Sequence, residues 1–351
     1  MLILGSVASS FRVPKVQYIA VASGTSPRVQ AYPWSSSGFG TKFSDPGYLP
    51  QNVAYGVAWK PQGDAIATAG RTEPYVYSWA WSASGFGSKY SNPSPTSMGN
   101  FAYGVAWNPA GNAIAIGYIG DPGVIAYPWS SGFGTKYTNP VGATGDWGRG
   151  VAFSANGSDI AIAKRSSPYI IAYPWSSGFG TKYADPASLP INQGFGVTFG
   201  ASSVLAVAAS GYGGSPVRNI NAYPWTSGTG FGTRFANPGT LPTGNNSYGV
   251  AMTSTAADLA VSNSASPRVV AYPFSGSGFG TKYSDPATIP AGFRAKGVAF
   301  SANNDAIAVA SFDSPRIQAY PFTSGTGFGT KFADPATLPA GEGFGVAFVS
   351  V

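Results

Sequence analysis

The sequence predicts an all-β chain folded as one seven-bladed β-propeller. Three observations predict it: one motif recurs seven times, each copy holds four strand signals, and one copy is split between the two ends of the chain. Ala-Tyr-Pro-Trp stands at residues 31–34, 126–129, 172–175 and 222–225, and Ala-Tyr-Pro-Phe at 271–274 and 319–322. Ser78-Trp79-Ala80-Trp81 is a diverged copy. From Tyr32 through Trp79, Tyr127, Tyr173, Tyr223, Tyr272 and Tyr320 the steps are 47, 48, 46, 50, 49 and 48 residues.

The copy around residue 300 shows the elements in order. Gly297-Val298-Ala299-Phe300 is a short apolar run, and a polar turn follows at 301–304. Residues 306–310 are wholly apolar, as a strand buried on both faces would be. After Ser314-Pro315, residues 316–320 are rich in β formers. A Gly/Ser/Thr turn leads to a fourth run at 328–332, and Asp334-Pro335 ends it, because Pro lacks the N–H a ladder needs. No segment carries a 3.6-residue apolar stripe. Four strands in about 48 residues suit a propeller blade, close to the roughly 40–45 residues of a WD40 blade. Solenoid coils are shorter, and an immunoglobulin-like unit needs about 100 residues. Blades packed face to face also explain why only 9% of the residues are charged.

The two ends decide closure. Gly-Val strands begin at Gly56, Gly104, Gly150, Gly196, Gly249, Gly297 and Gly345, but the last has no second strand after it. The missing partner is the apolar run at 16–22. The C-terminal strand is therefore expected to complete the N-terminal blade, leaving no bare edge. The division is an N-terminal arm at 1–14 and a propeller at 15–351.

Composition argues against most chemistry. The 351 residues include no Cys and no His, which removes disulfides, thiolates, and the commonest base and metal ligand. A net charge of +7 does not demand nucleic acid. No apolar run reaches the ~18 residues of a membrane span, and no secretory signal is evident.

Ten of the thirteen acids read as repeat punctuation. Asp45, Asp185, Asp285 and Asp334 precede the strand-ending Pro. Asp64, Asp159, Asp258 and Asp305 are placed as solvated acids in the turn between the first two strands, and Glu73 and Asp121 precede another Pro. Only Asp146, Asp313 and Glu342 fall outside the pattern. No catalytic, metal or cofactor residues are assigned. A ring of cations, Lys42, Lys89, Lys136, Lys182, Arg234, Lys282 and Lys331, reads as outer-strand charge against aggregation, or as an anion collar. Tyr32, Trp34, Phe39 and their counterparts read as core between blades.

The variable loops and the residues just before each Gly-Val strand are the candidate interaction rim. These are Tyr55, Tyr103, Arg149, Phe195, Tyr248, Lys296 and Phe344, joined by Asp146 and Trp147 from the most distinctive loop. They should ring the mouth of the central channel.

The repeat resembles the WD40/YVTN-type propellers over residues 15–351, at the level of architecture. Tyr-Pro replaces the Trp-Asp dipeptide and no Gly-His exists, so the Asp–His network of WD40 blades is excluded. The texture Ser-Pro-Arg-Ile-Gln-Ala-Tyr-Pro with Gly-Phe-Gly-Thr-Lys is similar to propellers encoded by tailed phages. That resemblance implies a non-enzymatic structural protein of a virion, a tail appendage or capsid decoration. Its implied partners are other virion proteins, with the oligomeric state set by the particle. The alternative is a glycan-binding or receptor-binding propeller that reads a host-surface glycan. Neither reading involves a nucleic acid or a cofactor.

Overall fold

Each repeat forms one antiparallel sheet, and the seven sheets close into a ring. The computed structural model describes residues 15–94, 98–143, 147–201, 203–211 and 219–351. The expected arm at 1–14 and Asp146 lie outside the described residues. The inner strands of blades one to six are Ala54–Trp59, Ala102–Trp107, Gly148–Phe153, Gly194–Gly200, Ser247–Met252 and Ala295–Phe300. Gly343–Ser350 is the inner strand of the closing blade, and touches both Ala295–Phe300 and Ala54–Trp59. It pairs with Gln17–Ser23 in the register Gln17↔Ser350, Ile19↔Phe348 and Val21↔Val346. Val29–Ser35 and Gly38–Phe39 complete that sheet, as the split repeat predicts.

Alternation in the second strand sets how blades meet. In Ala65–Gly70 every residue is buried. Ala65, Ala67 and Ala69 face blade two and pack against Ile114, Ile116, Tyr127 and Trp129. Ile66, on the other face, packs with Ala20, Ala22 and Ala31 of the closing blade. The same pairing recurs where Ala113, Ala115 and Ala126 meet Ile160, Ile162, Tyr173 and Trp175. One face of each blade is a flat alanine surface, and the next blade presents large side chains to it. Interdigitation at interior density needs such alternation of small and large.

The motif's Tyr and Trp lock the interfaces. Tyr32, Tyr223 and Tyr272 are fully buried, and their hydroxyls donate to backbone carbonyls of Thr337, Ser188 and Thr240, each in the preceding blade, at 2.8–2.9 Å. Trp34 meets Phe348 and Phe39 of its own blade and Phe332 of blade six, all edge-on at 5.1–5.2 Å. A glycan platform between blades would require these rings to be open, and they are core.

The outer strand is shorter than expected. It is two residues in Gly38–Phe39, Gly230–Phe231, Gly278–Phe279 and Gly327–Phe328, and an isolated bridge in blades two and three. The neighbouring third strand carries the motif Pro, which has no N–H for the ladder. Blade one has Ala80 there, and its outer strand Gly85–Lys89 runs five residues. The repeat cations are neither a collar nor bare edge charges. Lys42, Lys182, Lys282 and Lys331 pair with Asp45, Asp185, Asp285 and Asp334 three residues on. Arg234 donates to Asn237 at 2.7 Å in the same way. Each cation clamps its own turn.

Candidate functional site

All seven rim positions occupy one structural device. In every inner strand the ladder register shifts at this point: Ala54 pairs with Gly70 and Gly56 with Ala69, so Tyr55 is a bulge, while in Gly148–Phe153 and Gly343–Ser350 the following glycine is skipped as well. The same irregularity leaves Tyr103, Arg149, Phe195, Tyr248, Lys296 and Phe344 without a ladder partner. A bulge re-aims the side chain it carries. Here it turns seven side chains together, each half-buried, toward the channel.

The glycine after each rim residue permits the ring to be this tight. A Cβ on Gly56 would stand 2.6 Å from the Tyr103 carbonyl oxygen, and one on Gly104 would stand 2.2 Å from that of Arg149. The series continues to Gly345, whose Cβ would meet the Tyr55 carbonyl oxygen at 2.8 Å. Each inner backbone thus touches the next, all the way round. A Gly inside a strand signals a bulge or a close backbone approach, and here it does both. That signal was present in the repeated small–X–Gly–Val pattern.

The seven side chains line a cavity of about 310 Å³ at the channel mouth. Glycines and valines of the inner strands, from Val57 to Val346, together with Lys296 and Phe344, line a second cavity of about 180 Å³. The rings support one another: Tyr55 lies 4.8 Å from Tyr103 and 5.2 Å from Phe344, and Phe195 lies 5.0 Å from Tyr248. The Arg149 guanidinium lies 4.3 Å over Phe195, and Lys296 Nζ lies 3.5 Å from the Tyr248 centroid. Burial first, then the like charges of Arg294 and Arg149, push the Lys296 amine down to about 8. No carboxylate among the described residues pairs with it. Burial also raises the Tyr55 and Tyr103 phenols, while Arg149 draws Tyr103 partly back.

Trp147 does not line the cavity. It is half-buried beside it, stacked at 6.0 Å on Tyr103 with the Arg165 guanidinium 4.3 Å over its ring. It braces the rim from behind.

Two of the expected turn acids are in the core. Asp64 and Asp305 do sit exposed in turns. Asp159 and Asp258 are 0% and 1% exposed, because each stands one residue later, at the first position of its strand. Asp159 accepts from Tyr183 at 2.7 Å, from Ser158 at 3.0 Å and from Trp225 Nε1 at 3.2 Å. Asp258 accepts from Tyr283 at 2.7 Å, but its Oδ2 has no partner, since Ala257 and Phe322 stand where the twin site has Ser158 and Trp225.

No protein-family model matches this chain, and no curated protein sequence matches it. Solved structures do. A putative 6-phosphogluconolactonase from Bacteroides fragilis NCTC 9343 superposes with a TM-score of 0.71 at 13% identity, over 98% of this chain and 99% of that one. A putative 6-phosphogluconolactonase from Bacteroides uniformis ATCC 8492 gives 0.68 at 14%, over 96% and 100%. The periplasmic gluconolactonase of Pseudomonas aeruginosa gives 0.67 at 14%, over 95% and 99%. At such identities the likeness shows the seven-bladed fold alone.

These neighbours nonetheless correct the expected role. The non-enzymatic virion protein, with its glycan-reading alternative, rested on sequence texture and on the lack of catalytic groups, whereas the propellers of this shape quoted above are named as lactone hydrolases. The expectation weighed only His, Cys and the acids as chemical groups; Lys296, whose amine burial lowers to about 8, counted there only as a rim residue.

Proposed function

We propose that the channel mouth binds a small anionic lactone and hydrolyses it. One observation carries the reading: an amine held at about 8 in a cavity of about 310 Å³ walled by aromatic rings, with a guanidinium on the same rim. At pH 7 about a tenth of such an amine is neutral, enough for general-base work. Neutral Lys296 takes a proton from water as the water oxygen bonds to the lactone carbonyl carbon. The ring C–O bond then breaks, and Nζ returns the proton to the departing alkoxide. Arg149 offsets the negative charge that gathers on the carbonyl oxygen or on the substrate's anionic group. The aromatic rings stack on the apolar face of the sugar. The names of the solved neighbours, 6-phosphogluconolactonase and gluconolactonase, favour the sugar lactone among cyclic esters.

The test is titration of the acid released from gluconolactone and its 6-phosphate, corrected for spontaneous opening. Lys296→Met should lower kcat by about 10²–10⁴-fold. Arg149→Met should act mainly on KM for the phosphorylated substrate. Hydrolysis at the spontaneous rate with the wild-type chain, or an undiminished rate with Lys296→Met, rejects the proposal.

A further inference from the structure

We propose that Lys296 is also a carbonyl-capturing amine: an aldehyde on a flat ring that bears an anionic group enters the channel mouth and is held as an imine on Nζ. The inference shares with the hydrolytic reading the channel mouth and the neutral Lys296 amine, but not the lactone or its hydrolysis.

Placement carries it. Lys296 is the one lysine lining this cavity. Its bulge turns it off the ladder, and its ammonium lies against the Tyr248 face rather than a carboxylate. The other lysines are differently placed. Six outer ones close onto an Asp or Asn three residues on, and Lys60 pairs with Asp64 at 2.8 Å. Lys164 is 1% exposed, and Lys15 is exposed on the surface.

The same surroundings that favour the neutral amine in hydrolysis make it a nucleophile. At pH 7 a lysine near 8 presents about two hundredfold more neutral amine than an ordinary one at 10.4. The step balances without a further reactant. The nitrogen lone pair bonds to the carbonyl carbon, the carbonyl oxygen leaves as water with both amine protons, and a C=N bond remains. The rings at 55, 103, 195, 248 and 344 give a flat ring a stacking surface, and Arg149 on blade three supplies a cation across the mouth from Lys296 on blade six.

Pyridoxal 5′-phosphate is the probe, followed by borohydride reduction and peptide mass spectrometry on the full chain. The pyridoxyl group should appear on Lys296 at least about tenfold faster than on Lys15 at pH 7. Lys296→Arg keeps the cation and should abolish that label, whereas Lys15→Arg should leave it unchanged. Unphosphorylated pyridoxal should react about tenfold more slowly at Lys296. Labelling no faster at Lys296 than at Lys15 overturns the proposal, and equal rates for the two aldehydes overturn its anionic requirement. Trapping without lactone hydrolysis sinks only the function proposed above. Hydrolysis without trapping sinks only this one.

Discussion

Single side chains divide into those that hold the ring and those that work at its mouth. Lys296 belongs to the second group, and its protonation has a cost. The amine is pushed from an ordinary 10.5 down to about 8, so the folded state gives up its proton before the unfolded state does. Between those values the unfolded chain binds more protons, and stability therefore rises with pH across that window. Below pH 8 the folded protein bears the whole penalty, on the order of 3 kcal/mol. Lys296→Met should be more stable than wild type at pH 7 in urea unfolding, and the gap should narrow toward pH 9.5. A gap that stays constant with pH would contradict the burial argument. The buried acids yield a second expectation. Asp258 lacks the indole donor that Trp225 gives Asp159, so Phe322→Trp should supply it and stabilise by about 1–3 kcal/mol, read as a higher Tm. A lower Tm would show that the larger ring does not fit. The register of these acids was legible, because Asp159 and Asp258 align with Ala65 and Ala306 rather than with Asp64 and Asp305. Their partners Tyr183 and Tyr283 were not, since the contact crosses from the segment after the outer strand to the second strand and depends on packing.

The elements follow two short-range rules. A proline in the third strand limits the outer strand, and a glycine after each rim residue allows inner backbones to touch. Gly104→Ala would put a Cβ 2.2 Å from the Arg149 carbonyl oxygen, against backbone that cannot swing aside. We expect a loss of about 1–3 kcal/mol and a distorted mouth, measured by denaturation and by lactone hydrolysis together. Gly47→Ala, with nothing within 4 Å, is the control and should be nearly neutral. The strands themselves were plain in the sequence, because alternation of alanine with large apolar residues repeats in each blade. The bulges were not read, although the glycines marked them. A ladder skip shows only when two strands are placed side by side, and the convergence of seven such skips needs the whole ring.

At the scale of the whole molecule, closure and tyrosine burial govern stability. Removing residues 345–351 would leave Gln17–Ser23 with an open ladder edge and Ala54–Trp59 without its inner neighbour. Aggregation or a large fall in Tm is expected, and a truncated chain as soluble and stable as the full one would contradict ring closure. Burial raises the phenols of Tyr32, Tyr173, Tyr223, Tyr272 and Tyr320 far above 10, and those of Tyr118 and Tyr127 to about 12. The unfolded chain loses these protons first, so stability is complete below pH 10 and falls as pH climbs past it. Circular dichroism should show a cooperative alkaline transition above pH 10. Gradual phenol ionisation without loss of strand signal would mean the tyrosines are open to water.

The most direct test of the channel mouth as a hydrolytic site is the pH dependence of kcat/KM for gluconolactone 6-phosphate. The free-enzyme base should appear in it as a single rise with an apparent pKa near 8, absent in Lys296→Met. A wild-type profile that only follows spontaneous hydroxide-driven opening, and that Lys296→Met reproduces, would contradict the account.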